Sequence, residues 1–530
     1  MVIITEQGGV AMRKITSSIY EFETLIERGY LYVDKTEYLW KLVQNYGESY
    51  FLARPRRFGK SLTVSTLKAI FEGKKHLFEG LAISKTDYDW QQYPVIHLDM
   101  ANCNATTAND LNAFLSMLLL QLAKNHGIDL FIDERILPSC FENLVNTVAG
   151  DGKVVILVDE YDKPILGNLG TPEADAILDI LKGFYSTIKK CNGKERFVFI
   201  TGVSKFSHVS MFSGFNNPTD ISMHRDFATM FGYTQSEFET KFAEHIDHAS
   251  QQTCMAHQDL LTEIKQWYDG YRFEETAETV YNPVSLAKFF ENNYKFNNYW
   301  FSTGTPTFLM KLAREKNFNI EKTISEPVVG LAFNAFEIDK VDPLTLLLQT
   351  GYLTIKSSYT EDLETLYYLD FPNREVKTAF ETYLINDYTG LSESEIGVTV
   401  FKLRKALKTE DFGLFMDLLK TFYAGIGYNV GAKVEGRYQI IFVSIFTLLG
   451  FKVDAESHTN AGRIDTYLET GDRVYIFEFK INQTAQIALN QIREKEYFQR
   501  FKHLGKQIIL VGISFNTKKR QLTDWLIEKI

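Results

Sequence analysis

The sequence predicts an α/β protein, with a parallel sheet covered by helices, then a helical middle, then a smaller α/β end. Three observations predict it. In the first third, short all-apolar runs alternate with amphipathic helical segments, as in parallel strands buried on both faces. From about Gly214 to Gly390 the periodicity is mostly helical, with short loops. After Phe401, helices give way to a hairpin signal, a helix and an apolar strand.

Taken in order, Ser49–Ala53 reads as a strand and Ser61–Glu72 as a helix. Val95–Asp99 is a strand and Asp110–Asn125 a helix. Val154–Val158 is a continuous buried strand, Ala174–Lys190 a helix and Phe197–Thr201 a further buried strand. In the middle region, Asn282-Pro283 introduces a helix over Val284–Asn292, since proline suits a first helical position. Leu344–Thr354 is apolar enough to lie centrally. Arg437–Leu449 and Ala485–Glu496 read as helices and Gln507–Ile513 as the closing strand.

Composition narrows the class. A length of 530 residues suggests about three domains. No apolar run approaches the roughly 18 residues of a membrane span. Met1–Ala11 lack the basic and apolar regions of a signal peptide, and a leader or an early start codon before Met12 is the plain expectation for them. Cys103, Cys140, Cys191 and Cys254 form no CxxC pair, which fits reduced thiols and a cytoplasmic location. The net charge of −10 argues against nucleic-acid binding by the whole chain. From Val400 onward, however, 20 Lys+Arg face 14 Asp+Glu. That basic end suits contact with phosphate.

Two motifs carry the chemistry of the first third. Arg54-Pro-Arg-Arg-Phe-Gly-Lys60-Ser61 lies between a strand and a helix. Such a loop cradles phosphates in backbone N–H groups, here Arg56, Arg57, Phe58, Gly59, Lys60, Ser61 and Leu62, at a helix N-terminus. Lys60 then reaches the outer phosphates and the Ser61 hydroxyl holds Mg²⁺. Arg54 stands where the pattern calls for glycine. The second motif is Lys153-Val-Val-Ile-Leu-Val-Asp159-Glu160, an apolar strand ending in two acids. Ligands of open α/β sheets bind at such strand ends. Asp159 would hold Mg²⁺ and Glu160 would orient the attacking water. Together the motifs point to ATP and Mg²⁺. After the third strand, Thr201, Ser204 and Lys205 are equal candidates for sensing the γ-phosphate.

The end of the chain carries a different signal. In Gly462-Arg-Ile-Asp465-Thr-Tyr-Leu-Glu-Thr-Gly471-Asp472-Arg-Val-Tyr-Ile-Phe-Glu478-Phe-Lys480, Gly471-Asp472 suits a two-residue hairpin turn. That turn places Asp465 opposite Glu478, with Lys480 on the face of Glu478. Directly opposed carboxylates repel unless a divalent cation lies between them. Lys480 would stabilise phosphate charge or position water. The arrangement suits metal-assisted phosphodiester hydrolysis. Glu435 offers a further carboxylate, and Gln491 or Tyr497 would point back at the site.

Further stretches complete a pattern: Tyr32-Val-Asp-Lys-Thr, Leu157-Val-Asp-Glu-Tyr-Asp-Lys-Pro164, Trp267-Tyr-Asp-Gly-Tyr, Tyr281-Asn-Pro, Tyr299-Trp-Phe-Ser-Thr-Gly304, Leu348-Gln-Thr-Gly-Tyr-Leu and Pro372-Asn-Arg-Glu-Val376. With the phosphate loop and Phe477-Glu-Phe-Lys480, they resemble, in order, the AAA-ATPase-like proteins that end in a PD-(D/E)XK nuclease-superfamily domain. That family shares the Arg54 departure. The resemblance implies a RecA-like P-loop domain over 12–213, a helical or winged-helix region over 214–395 and a restriction-endonuclease-like α/β domain over 400–530. It transfers nucleotide roles to Lys60, Ser61, Asp159 and Glu160, and metal and cleavage roles to Asp465, Glu478 and Lys480.

The leading expectation is ATP-controlled cleavage of nucleic acid, DNA above all, through the C-terminal domain. A nucleotide-switched module that grips nucleic acid or protein without cutting is the alternative. A third reading is an ATPase that remodels a protein partner. An arginine acting in trans would make the protein a homo-oligomer, but the sequence does not single one out.

Overall fold

All six residues of Val154–Asp159 are buried, because this strand lies inside a parallel sheet with helices packed against it. The computed structural model describes residues 12–45, 47–191, 193–205, 218–300, 324, 326–333, 342–362, 364–424, 444–446, 448–449, 457–459, 462–464, 466–469, 472–516 and 521–530. The chain divides into two compact units, Met1–Val376 and Lys377–Ile530.

In the first unit, strands β1 (Glu48–Ala53), β2 (Val95–Asp99), β3 (Val154–Asp159), β4 (Glu195–Gly202) and β5 (Thr219–Asp220) form one sheet in the order β2-β3-β4-β1-β5. Every neighbouring pair is parallel. Helix Lys60–Phe71 packs against β2, β3 and β4. Helices Ala108–Asn125, Leu137–Ala149 and Ala174–Lys190 pack on one another, the first also against β2 and the second against β3. The helix expected from Asp110 starts at Ala108, because Thr107 and Asp110 cap each other reciprocally.

After β5 the chain is helical, as expected, but not wholly so. Helices Gln235–Lys241, Ala243–Thr253, His257–Tyr268 and Pro283–Glu291 bury a core of Phe238, Phe242, Leu260, Ile264, Tyr268 and Phe289. Pro343–Thr350 is the apolar central helix. An antiparallel sheet went unread in the sequence. It comprises β6 (Val328–Val329), β7 (Thr354–Glu361) and β8 (Glu364–Asp370), with β8 in the centre. Its signal was the β-branched and aromatic content of Thr354–Asp370, masked by charged residues on the exposed side of β7.

In the second unit, helices Glu393–Lys408 and Phe412–Ala424 precede two sheets. Strands β9 (Ser457–Thr459) and β10 (Gly462–Ile464) pair with each other. Strands β11 (Thr466–Glu469), β12 (Arg473–Ile481), β13 (Gln507–Asn516) and β14 (Gln521–Lys529) form a sheet in that order. Only the β12–β13 pair is parallel, and helix Ala485–Glu494 is its crossover. The strand expected to close the chain is therefore not the last. Strand β14 is a half-exposed edge whose charged residues hide the alternation.

The Val474–Phe477 stretch of β12 is apolar on both sides because each side meets a different core. Tyr475 and Phe477 join Leu403, Phe415 and Leu419, whereas Val474 and Ile476 join Leu489, Ile492 and Tyr497. Gly512 lets the crossover helix come close. A Cβ there would lie 2.5 Å from the Ala485 carbonyl oxygen and 2.8 Å from the Leu489 nitrogen, both backbone atoms. Gly512→Val should therefore lower the stability of the second unit by about 2 kcal/mol or more. Thermal unfolding of the full chain tests this, and an unchanged transition would refute the close packing.

Candidate functional site

Where β1 ends, the chain turns through Arg54–Phe58 into helix Lys60–Phe71, entered at Gly59 with φ of 89°. Arg57 (φ 71°) and Glu160 (φ 53°) also adopt left-handed conformations, which cost free energy for non-glycine residues and concentrate at functional sites.

Arg54 explains its own departure from the glycine pattern. It is 1% exposed. Its guanidinium donates to the carbonyls of Ala53 (3.0 Å), Phe227 (3.4 Å) and Ser222, and lies 4.1 Å from the centre of the Phe273 ring. Burial pulls its pKa down to about 9, against the pull of Asp220, so it remains charged at neutral pH. Phe58 packs edge-on against Tyr271 and Phe273. The start of the loop is thus a structural anchor.

The other side of the loop faces a cavity of about 690 Å³. Its lining includes Arg56–Thr63, the segment Thr16–Tyr20, Glu160, and Met230–Tyr233. Six cationic side chains line it (Lys35, Arg56, Arg57, Lys60, Lys163 and Lys288) against one acid, Glu160. Lys35 is neutralised by Glu237 at 2.7 Å. The remaining excess suits a polyanion. Lys288 went unremarked in the sequence, because a lone lysine on a helix carries no signal, and Lys163 entered only as part of the Leu157–Pro164 stretch.

Lys60 is 6% exposed and folds back, with Nζ 3.0 Å from both the Arg54 and Pro55 carbonyls. Burial lowers its pKa, while Glu160, Asp159 and Asp162 oppose the shift. The sheet register then sets a polar row. Asp99 pairs with Asp159 across β2 and β3, Val158 with Ile200 across β3 and β4, and Thr201 with Leu52 across β4 and β1. Asp159 is buried, and its Oδ1 has no hydrogen-bond partner among the described residues. Burial pushes its carboxyl up to about 6, relieved by the Ser61 hydroxyl and Lys60 and aggravated by Glu160 and Asp99. An orphaned buried carboxylate oxygen beside a serine hydroxyl is an oxygen donor set suited to a hard divalent cation. Ser61, Asp159 and Lys60 are therefore brought together. Asp99, unnoticed in the sequence, joins them at the end of its strand.

The three sensor candidates are also distinguished. Ser204 donates its hydroxyl to Asp162 at 2.7 Å, and Lys205 pairs with Asp220 at 2.8 Å. The buried Thr201 hydroxyl has no partner among the described residues.

In the second unit, β11 pairs with β12 in the register read from the hairpin turn: Thr466 with Phe477 through to Glu469 with Val474. Asp465 and Glu435 lie outside the described residues. Glu478 is 1% exposed and accepts from Lys480 Nζ at 3.0 Å. Gln491 donates to the Tyr497 hydroxyl at 3.5 Å, and Tyr497 is buried in the crossover-helix core. Among the described residues, no group of three His, Cys, Asp or Glu forms a metal cluster. None of the described helices is long and apolar enough to cross a membrane.

Comparisons with known proteins fall on the same two regions. Residues 16–212 match the family described as predicted AAA-ATPase, and residues 433–525 match the PD-(D/E)XK nuclease superfamily. An uncharacterized protein in the vnfD 5′ region of Azotobacter chroococcum mcd 1 is 35% identical over 533 residues, covering 98% of this chain and 100% of that one. The crystal structure of Cdc6p from Pyrobaculum aerophilum aligns with a TM-score of 0.24 and 11% identity, over 67% of this chain and 95% of that one.

Two outcomes follow from the buried charges. Restoring the pattern glycine, Arg54→Gly, should cost about 3 kcal/mol or more of stability, because the carbonyls and rings around the guanidinium lose their partner. A variant as stable as the parent would contradict the anchor. Asp159 has a raised folded pKa, so its penalty on the metal-free protein is absent below its unfolded value and complete above about 6. Asp159→Asn should therefore melt higher than the parent at pH 8, by up to about 3 kcal/mol, and alike at pH 4. A lower melting point at pH 8 would show that the carboxylate is compensated.

Proposed function

The chain belongs to the AAA-ATPase-like proteins that end in a PD-(D/E)XK nuclease-superfamily domain, and on that premise we propose that it binds and hydrolyses ATP to gate metal-dependent cleavage of nucleic acid. One observation carries the nucleotide half: Ser61, Asp159 and Lys60 converge beside a large cationic cavity at the ends of buried parallel strands.

Each residue then has a task. The N–H groups from Arg56 to Leu62 hold the phosphates at the start of helix Lys60–Phe71. Lys60 exchanges the Arg54 and Pro55 carbonyls for the outer phosphates. Ser61 and Asp159 would hold Mg²⁺, which neutralises charge on the phosphate oxygens when bound. Glu160 orients the attacking water and takes its proton. The free Thr201 hydroxyl donates to the γ-phosphate.

In the second unit, Asp465 and Glu478 would hold the divalent ion, and Glu435 adds a carboxylate. Lys480 leaves Glu478 for the scissile phosphate and stabilises its developing charge. The basic balance after Val400 supports contact with nucleic acid there, and DNA is the first substrate to try.

Two measurements test the halves separately. Lys60→Ala should weaken ATP binding at least about a hundredfold by calorimetry, since a charge-assisted phosphate contact is lost in a buried site. Retained affinity would make the loop structural. Purified parent protein should nick plasmid DNA in Mg²⁺ or Mn²⁺, and Glu478→Ala and Lys480→Ala should each lose that activity. Cleavage unchanged in both variants would come from a contaminant. DNA binding without cleavage would instead identify a switched binding module.

A further inference from the structure

Four of the sequence stretches that mark the family supply none of the nucleotide chemistry: those at Trp267, Tyr281, Tyr299 and Pro372. The structure gathers their described residues behind the phosphate loop. The Arg56 carbonyl accepts from Trp300 Nε1 at 3.4 Å and from Asn282 Nδ2 at 3.5 Å. Asn282 is held in turn by its backbone N–H on the Tyr268 carbonyl, at 3.2 Å. Trp300 packs edge-on against Tyr352. Its backbone N–H and that of Tyr299 both donate to Glu375 Oε1, at 2.7 and 2.5 Å.

Glu375 is fully buried. Burial pushes its carboxyl up to about 7, opposed by the N–H groups of Trp300 and Tyr299. It occupies the second position of helix Arg374–Thr389. An acid there commonly offsets the helix dipole and caps its own first turn. The contacts of Glu375 differ: Oε1 reaches across to a distant segment, the one that also touches the phosphate loop. Arg374 beside it pairs with Glu263 at 2.7 Å and lies over the Trp267 ring, which fixes the same turn from the other side. The first unit ends at Val376, so this helix starts in one unit and continues into the other without a break.

We propose that Glu375 is a positioning residue that passes the state of the phosphate loop to the helix leaving the first unit. This rests on reading the loop as a nucleotide site. Phosphates draw the loop N–H groups towards them, and the Arg56 peptide turns with its neighbours. Its carbonyl then shifts against Trp300 and Asn282. Trp300 carries that shift through its own backbone N–H to the Glu375 carboxylate. A helix moves as one element, so displacement of its first turn is delivered to Lys377 and beyond.

Hydrogen–deuterium exchange on the full chain tests the link, with and without a non-hydrolysable ATP analogue and Mg²⁺. In the parent protein, amides of residues 377–389 should change exchange rate by about fivefold or more on nucleotide binding. Trp300→Phe keeps a ring against Tyr352 and removes only the indole N–H. Glu375→Gln keeps the shape and removes the charge. Both should still bind the analogue, yet reduce the response to less than about twofold. A full response in both variants with nucleotide bound would overturn the proposal. So would a parent protein that binds nucleotide with no response over 377–389. A parent protein that binds no nucleotide would overturn the reading of the loop, and this link with it.

Discussion

The burial of the Arg54 guanidinium organises the nucleotide half of this protein. A charge removed from water must be surrounded by acceptors, or the fold loses several kcal/mol. Here the acceptors are carbonyls of Ala53, Ser222 and Phe227, with the Phe273 ring against the cation. Those partners come from the sheet and from the segment after it. A loop that begins with glycine needs only to turn, whereas one that begins with this arginine must also be anchored. The end of β1, the chain after β5 and the aromatic cluster around Phe58 are therefore parts of one packed structure.

That constraint explains what the sequence disclosed and what it withheld. The sheet was legible because buried parallel strands are uniformly apolar, and Val95–Asp99 and Ala174–Lys190 begin and end where their patterns do. Lys60, Ser61 and Asp159 could be singled out because phosphate chemistry calls for fixed residue types at fixed positions on a strand–loop–helix unit, and the fold brings the three together. The anchoring role of Arg54 was not legible, since it depends on carbonyls more than 160 residues away. The same holds for Asp99, whose place beside Asp159 follows from strand order and register rather than from any motif. That Ser204 and Lys205 already have partners, whereas the Thr201 hydroxyl has none among the described residues, likewise depends on the fold and not on any motif.

In the second unit, register was the legible quantity. A two-residue turn determines which residues of a hairpin face each other, and the described ladder from Thr466–Phe477 to Glu469–Val474 has that register. The depth of Glu478 was less legible. It is buried because the crossover helix comes down onto Gly512, its neighbour on β13. A strand with cores on both sides leaves a carboxylate no route to water except past the strand end, where Lys480 meets it.

Both sites thus hold a buried acid and a largely buried lysine, but only in the first unit is the acid left without the lysine as its partner. Lys60 is occupied by loop carbonyls rather than by Asp159, whose Oδ1 has no partner among the described residues and whose pKa is raised. Such an arrangement is unfavourable in the metal-free protein, and a divalent ion that bound only the folded state would offset it by mass action. Glu375 is likewise buried, and its carboxyl pKa is likewise raised by burial. In both places the fold keeps a carboxylate out of water at a cost to its own stability.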